Sequence, residues 1–387
     1  MKKQKICIIG GGLTGLITAI SLSKLNCEID LIADNFGKNL KSNRTIAVSS
    51  NNLNLLMKLN IFKDFEKEIW PCSIMKLYGS SINKKFFKIF EIDKENENKK
   101  IFYMIQNSKL INTLINKIKK TQNINIIKRD KESSIHNSEL LKKIKYYKDN
   151  LKYNLVILCT GHSSNLIKNI FKNQIIENSY KEFAITTILN HDFHKNNTAR
   201  QIFLDDEILA LLPISNTKTS LVYTTKKDVS KKNDFFVKKK IQFYTKNYLK
   251  NIKFVTKIER QDLNFAIPKK YFNDRVLLFG DTLHKVHPLA GQGFNMILRD
   301  LSHLEKILKN KISLGLDIGS KDILIEFSNE TKPKNFVYSI GIDILRNCFN
   351  SRNNSFQNIR NEFIRKLNKN TFAKNLFYNI ADKGIRF

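Results

Sequence analysis

The sequence predicts an α/β protein with a Rossmann-like nucleotide-binding domain, an inserted antiparallel β-sheet domain and a helical C-terminus. Three observations predict it. Residues 5–33 read as strand, glycine turn, helix and strand; residues 183–255 break into short apolar runs; and the chain beyond about residue 300 carries apolar residues at helical spacing. A single core rarely grows past roughly 250–300 residues, so 387 residues suit two packed units. The expected boundaries are 1–70, 102–173 and 262–315 for the discontinuous nucleotide-binding domain, 71–101 and 174–261 for the substrate-binding sheet, and 316–387 for the helical region.

Residues 5–9 form a short apolar run that ends at glycine, residues 13–25 carry the helix, and residues 28–33 the second strand. A helical crossover makes the two strands parallel. A polar loop containing Arg44 follows, then a helix expected over residues 52–65. Residues 154–159 read as a further buried parallel strand closed by Thr160-Gly161. The runs 183–189, 208–212 and 219–224 predict the antiparallel insertion, and residues 275–279 return the chain to the first sheet. Residues 356–367 predict an amphipathic helix rich in Lys, Arg and Asn, whereas 93–100 and 350–355 read as solvated loops.

The first motif is Gly10-x-Gly12-x-x-Gly15, between a strand and a helix. Such glycines permit a tight turn, close backbone approach to a pyrophosphate and close helix packing, and the helix start at Leu13 and Thr14 offers free N–H groups to anions. An acidic residue normally ends the second strand of this unit and bonds the adenosine ribose. Here Ala33 takes that place and Asp34 follows, so either Asp34 substitutes with shifted geometry or the contact is lost.

The second motif spans residues 275–300. Its strand delivers Asp281 at a C-terminal end, where ligands of parallel sheets lie, and a carboxylate there can accept hydrogen bonds from a ribityl chain. The loop His287-Pro288-Leu289-Ala290-Gly291-Gln292-Gly293 lets backbone approach a flat ring, and a helix begins at Phe294. His284 and His287 form an HxxH spacing. No acidic third ligand stands nearby and a proline interrupts the loop, so a metal site is not expected; His287 is expected to face a bound ring or pack beneath it. Trp70 and the many phenylalanines read as core or tunnel lining.

With these residues in hand, the chain resembles the ubiquinone-biosynthesis FAD-dependent hydroxylases of the 2-polyprenyl-6-methoxyphenol hydroxylase type, relatives of para-hydroxybenzoate hydroxylase. Asp281 and the string His287-Pro-Leu-Ala-Gly-Gln-Gly-x-Asn-x-x-x-Arg-Asp are similar to the second flavin motif of that family. Arg44-Thr45-x-Ala47 resembles its arginine segment, and residues 199–213 resemble its substrate-sheet segment. The resemblance implies a para-hydroxybenzoate hydroxylase-type fold, bound FAD, NAD(P)H or another electron donor, molecular oxygen, and ring hydroxylation of a polyprenylated phenol through a flavin C4a-hydroperoxide. It implies FAD contacts from Arg44, Gln106, Asp281, Phe294 and Asn295; together with the motifs, the expected cofactor-binding set is completed by Gly10, Gly12, Leu13, Thr14, Gly15, Asp34, Gly161, Pro288, Gly291 and Gly293. No acid or base side chain is singled out as catalytic. Where the family carries Asp-Gly, this chain has Thr160-Gly161, which puts tight pyridine-nucleotide use in doubt. Alternative readings are a related FAD reductase of isoprenoid lipids and a catalytically impaired flavin-binding accessory protein of the quinone pathway.

Composition narrows the setting. Five cysteines, dispersed and without CxxC spacing, read as reduced thiols of a cytoplasmic protein. The basic, apolar N-terminus mimics a secretory signal, but its glycines sit where a strand-turn-helix needs them. The net charge of +32 is spread along the chain with Asn and Ile. It reads first as compositional drift and second as attraction to an anionic membrane, on the inner face of the cytoplasmic membrane or within a quinone-biosynthesis complex. No nucleic-acid motif accompanies it, so nucleic acid is not an expected partner.

Overall fold

The computed structural model describes the chain apart from residues 1–2, 35, 37–41, 62–65, 81–85, 98, 129–133, 139–140, 147–148, 162–163, 173, 205, 231, 350–353 and 386–387. Its first sheet contains β1 (Gln4–Ile9), β2 (Cys27–Ala33), β8 (Ile124–Lys128), β12 (Leu155–Leu158), β19 (Phe272–Asn273) and β20 (Val276–Leu278), in the order β19-β20-β12-β1-β2-β8. All neighbours pair parallel except the edge strand β19. The central strands are apolar without alternation because both faces are covered: Ile6, Cys7, Ile8, Val156, Ile157 and Leu158 are all fully buried.

Helix α1 (Leu13–Leu22) carries the first crossover and ends three residues before the expected limit, at the turn that leads through Leu25 into β2. Helix α2 (Ser50–Lys58) starts two residues before expectation because the Ser49 side chain accepts from Asn52 N and caps it. Residues 62–65 of the expected helix lie outside the described residues. Helix α3 (Asn107–Lys119) packs on α1.

The second sheet is antiparallel for the most part, with one parallel pairing. It is built from β5 (Ile74–Ser80), β6 (Phe86–Asp93), β13 (Ile175–Asn190), β14 (Thr198–Phe203), β15 (Ile208–Pro213), β16 (Lys218–Lys226), β17 (Lys253–Phe254) and β18 (Glu259–Pro268), ordered β17-β13-β16-β15-β14-β5-β6 with β18 also on β13. The parallel pair is β5 with β14. Strand β3 (Thr45–Ser49), strand β4 (Ile69–Cys72) and strand β7 (Phe102–Gln106) form a small sheet, and β9 (Ser134–Ser138), β10 (Leu141–Tyr146) and β11 (Asp149–Tyr153) form another. Helices α4 (Asn165–Ile170), α5 (Lys227–Ser230) and α6 (Asp234–Thr245) are short, and the chain closes with α7 (Gln292–Ser313), α8 (Lys321–Phe349), α9 (Asn354–Lys369) and α10 (Thr371–Lys383). The architecture is thus the mixed α/β arrangement expected, with helices at the C-terminal end.

Candidate active site

A cavity of about 920 Å³ opens at the C-terminal ends of β1, β2 and β12. One side is the glycine turn Ile9–Thr14 with Ala33, Asp34 and Thr160-Gly161. Another is Asp281, His284–Pro288 and the start of α7, and the second sheet supplies Ala184, Thr186, Val222 and Leu263. Its volume falls in the upper range of ligand pockets, roughly 300–1,000 Å³.

The glycines divide into two kinds. A Cβ at Gly15 would stand 1.9 Å from the carbonyl oxygen of Gly10, so Gly15 is fixed by helix-to-strand packing. A Cβ at Gly12 would meet nothing within 4 Å, so that position faces open space. Gly12 is also the N-cap of α1 and the helix has no side-chain cap, which leaves its first N–H groups available to an anion. The same holds at α7, whose N-cap is Gly291 in the left-handed conformation, φ 63°.

Asp281 follows β20 and is open to the cavity, yet the protein around it raises its pKa above the usual carboxylate value. Burial among protein is the larger cause; the charges of His284, Arg44 and Lys285 partly offset it. Arg44 lines the same space and is exposed to it, while its backbone oxygen accepts from Asn107 N at 2.9 Å. Thr160 Oγ1 is buried with no hydrogen-bond partner among the described residues.

Of the expected FAD contacts, Gly10, Gly12, Leu13, Thr14, Asp34, Arg44, Gly161, Asp281, Pro288, Gly291, Gly293 and Phe294 line the cavity. Gly15, Gln106 and Asn295 do not. Gln106 ends β7 and precedes α3. Asn295 is 1% exposed and works as a bracket: its Nδ2 donates to Ala47 O at 2.8 Å, and its Oδ1 accepts from Ser49 N and Asn52 Nδ2, both at 2.9 Å. It ties α7 to β3 and α2. Trp70 is half-buried and donates to Asn196 O at 2.6 Å.

The two histidines turn to different carboxylates. His284 Nε2 lies 2.9 Å from Asp300 Oδ2, and Asn335 Nδ2 donates to both oxygens of the same carboxylate. His287 lines the cavity and places Nε2 3.4 Å from Glu182 Oε2. Glu182 also receives Arg346 Nη2 at 2.5 Å and Nε at 3.3 Å. Burial lowers the His287 pKa below the usual imidazole value, and the Glu182 carboxylate counteracts this in part. Asp300 closes the second motif, but nothing there indicated its pairing with His284; Glu182, Arg346 and Asn335 carried no signal, since each is one polar residue among many in a strand or long helix.

The family model described as FAD binding domain matches residues 3–317. The chain belongs to that family. Among curated relatives, the mitochondrial ubiquinone biosynthesis monooxygenase COQ6 of Dictyostelium discoideum is 23% identical, over 97% of this chain and 90% of its own. COQ6 of Danio rerio is 24% identical, over 89% of this chain and 83% of its own. Among solved structures, the p-nitrophenol 4-monooxygenase PnpA from Pseudomonas putida DLL-E4 superposes with TM-score 0.81 at 15% identity, covering 100% of this chain and 99% of the other. Klebsiella pneumoniae HpxO complexed with FAD and uric acid gives 0.74 at 12% identity, covering 98% and 96%. These two share the fold of this FAD-binding chain. The cavity fits the cofactor on its own evidence: two uncapped helix starts for negative groups, open space above Gly12, and the Asp281 carboxylate for hydroxyls.

Proposed function

We propose that this chain is an FAD-dependent monooxygenase that hydroxylates the aromatic ring of a polyprenylated phenol in ubiquinone biosynthesis. The observation that carries the reading is the continuity of one cavity from the glycine turn to the face of the second sheet, in a chain that matches COQ6 relatives along nearly its whole length. A dinucleotide on the first sheet would leave room for a ring against Ala184, Thr186 and Val222.

Bound FAD supplies the redox chemistry that activates oxygen, with NAD(P)H or another donor as reductant. The protein's tasks are positional. The start of α1 would hold the pyrophosphate, and Asp281 would accept hydrogen bonds from the ribityl hydroxyls. The start of α7, at Gly291 to Phe294, would stabilise negative charge on the ring system. Ile46, Val222, Leu263 and Ile297 give the cavity apolar walls that exclude water from the reacting ring. Thr160 stands where relatives by resemblance carry Asp, which favours a donor other than a tightly held pyridine nucleotide.

Among the described residues no helix is long and apolar enough to cross a membrane. A lipid-linked substrate then calls for peripheral attachment, on the inner face of the cytoplasmic membrane or in a quinone-biosynthesis complex. The test is lipid mass spectrometry of quinone intermediates after expression in bacterial hosts that each lack one ring hydroxylase. Restored quinone in one host supports the reading and assigns the ring carbon. Blocked intermediates in every host, despite flavin-loaded protein, would overturn it.

A further inference from the structure

Helix α9 is amphipathic, as its sequence implies, but it docks mainly through its polar stripe, with Ile364 reaching the core from that side. Gln357 and Asn361, one turn apart, are 7% and 5% exposed. They face the protein, where the Asn361 amide lies 3.3 Å from the position a Gly79 Cβ would take. On the same stripe Asn368 Oδ1 accepts from Glu91 N at 2.9 Å. The opposite stripe carries Ile359 and Phe363, which are 68% and 60% exposed. A water-soluble helix ordinarily does the reverse, burying its apolar stripe and wetting its polar one.

The next helix continues the pattern. Only Asn370 separates α9 from α10, the two pack together, and Phe372 and Leu376 of α10 are 77% and 48% exposed. Of the 21 large apolar side chains exposed among the described residues, 11 lie on α8 to α10. Exposed apolar groups concentrated this way mark an interaction surface.

Charge identifies what covers it. Residues 354–383 contain six Lys or Arg and two acidic residues. Of the acids, Asp382 is buried and Glu362 lies 3.7 Å from Lys366. Lys366, Lys369 and Lys374 interleave in sequence with the exposed apolar residues, while the Arg365 guanidinium lies 4.6 Å over the Phe87 ring. A second copy of the chain would bring this cationic stripe against itself, because a twofold interface pairs one patch with its own image. The charge of +32 adds to that repulsion. An anionic bilayer surface complements both features, taking phenylalanine and leucine at the acyl boundary and lysine and arginine among its headgroups.

We propose that the outward face of α9 and α10 is a docking surface for an anionic lipid bilayer. The proposal deepens the functional reading above and rests on it for its purpose, since it seats the enzyme beside a membrane-dissolved substrate. Its structural basis is independent of that reading.

The test is flotation of the FAD-loaded full chain with phosphatidylcholine vesicles, with and without phosphatidylglycerol. Wild type is expected to float with the phosphatidylglycerol vesicles and to be released by salt. Two double variants, Phe363→Ser with Phe372→Ser and Lys366→Glu with Lys369→Glu, are expected to bind at least about tenfold more weakly. Both should keep wild-type FAD content and melting temperature, because these side chains are exposed. The surface is overturned if wild type ignores phosphatidylglycerol, or if correctly folded variants float as well as wild type. It is also overturned if wild type is a dimer that the phenylalanine variant dissociates, which would give the face to a second copy. Hydroxylation of a short-tailed phenol without vesicles separates the two readings. Turnover without flotation removes only the surface; flotation without turnover removes only the proposed reaction.

Discussion

Glu182 is held between Arg346 and His287, and all three are buried. The arrangement joins three parts of the molecule. Glu182 sits on β13 just after a bulge that includes Lys181 at φ 54°, Arg346 comes from α8, and His287 comes from the loop lining the cavity. Tyr180 completes it, with its ring 4.3 Å from the Arg346 guanidinium and edge-on to His287 at 5.5 Å. The bulge re-aims the strand so that a carboxylate points under the loop.

Removing one member of a buried pair leaves the other charged without compensation, at about 3–5 kcal/mol. Glu182→Ala is therefore expected to lose about that much in urea denaturation and to loosen the loop at His287. Substituting both ends with apolar groups, Glu182→Leu with Arg346→Met, should recover most of the loss. A single variant as stable as wild type would show that the pair is not what fixes this junction.

The glycine turn offers a cleaner separation of folding from binding. Gly15→Ala would push a methyl into the Gly10 carbonyl oxygen, so a lower melting temperature is expected with or without FAD. Gly12→Ala meets no protein atom, so the protein should fold as wild type and hold FAD at least about tenfold more weakly, since the methyl fills the space where backbone approaches a pyrophosphate. Fluorescence titration of FAD together with thermal melting distinguishes the two. Equal FAD affinity in Gly12→Ala and wild type would move the pyrophosphate elsewhere.

These glycines were legible in the sequence because their spacing is a local property of one turn. So were the parallel strands, whose unbroken apolar runs need no knowledge of neighbours. The Glu182 cluster was not, because it depends on a bulge and on a helix more than 160 positions away. Asn295 carries a structural role that its motif did not reveal: its side-chain amide makes three bonds to β3 and α2. The docking of α9 through its polar stripe also escaped the sequence. Periodicity finds the apolar stripe of a helix but not which way that stripe turns.

Asp281 should respond oppositely with and without cofactor. Its folded pKa is raised, so its contribution to stability is full below the ordinary carboxylate pKa and declines as pH rises through the folded value. Above the ordinary carboxylate pKa the raised value thus works against folding of the cofactor-free protein. Asp281→Asn is expected to match or exceed wild type in stability without FAD, and to bind FAD about tenfold more weakly through loss of charge-assisted hydrogen bonds. Unchanged FAD affinity in this variant would remove the ribityl role.

His287 sets the sign of a second pH effect. Its folded pKa is lowered, by burial first, against an ordinary value of about 6.5. The imidazole is neutral in the folded protein, so its contribution to stability is complete above about pH 6.5 and is lost as pH falls through the lower folded value. The groups facing it are the Glu182 carboxylate, which favours the proton, and the Arg346 guanidinium, which opposes it; Asp343 of α8 adds a smaller favourable charge. Urea denaturation at steps between pH 8 and pH 5, about the range in which imidazoles titrate, should show wild type losing stability on the acid side. His287→Asn, which has no proton to gain there, should lose less over the same interval. Parallel curves for the two proteins would mean that His287 becomes charged in place, with Glu182 holding the proton on its ring rather than merely orienting it.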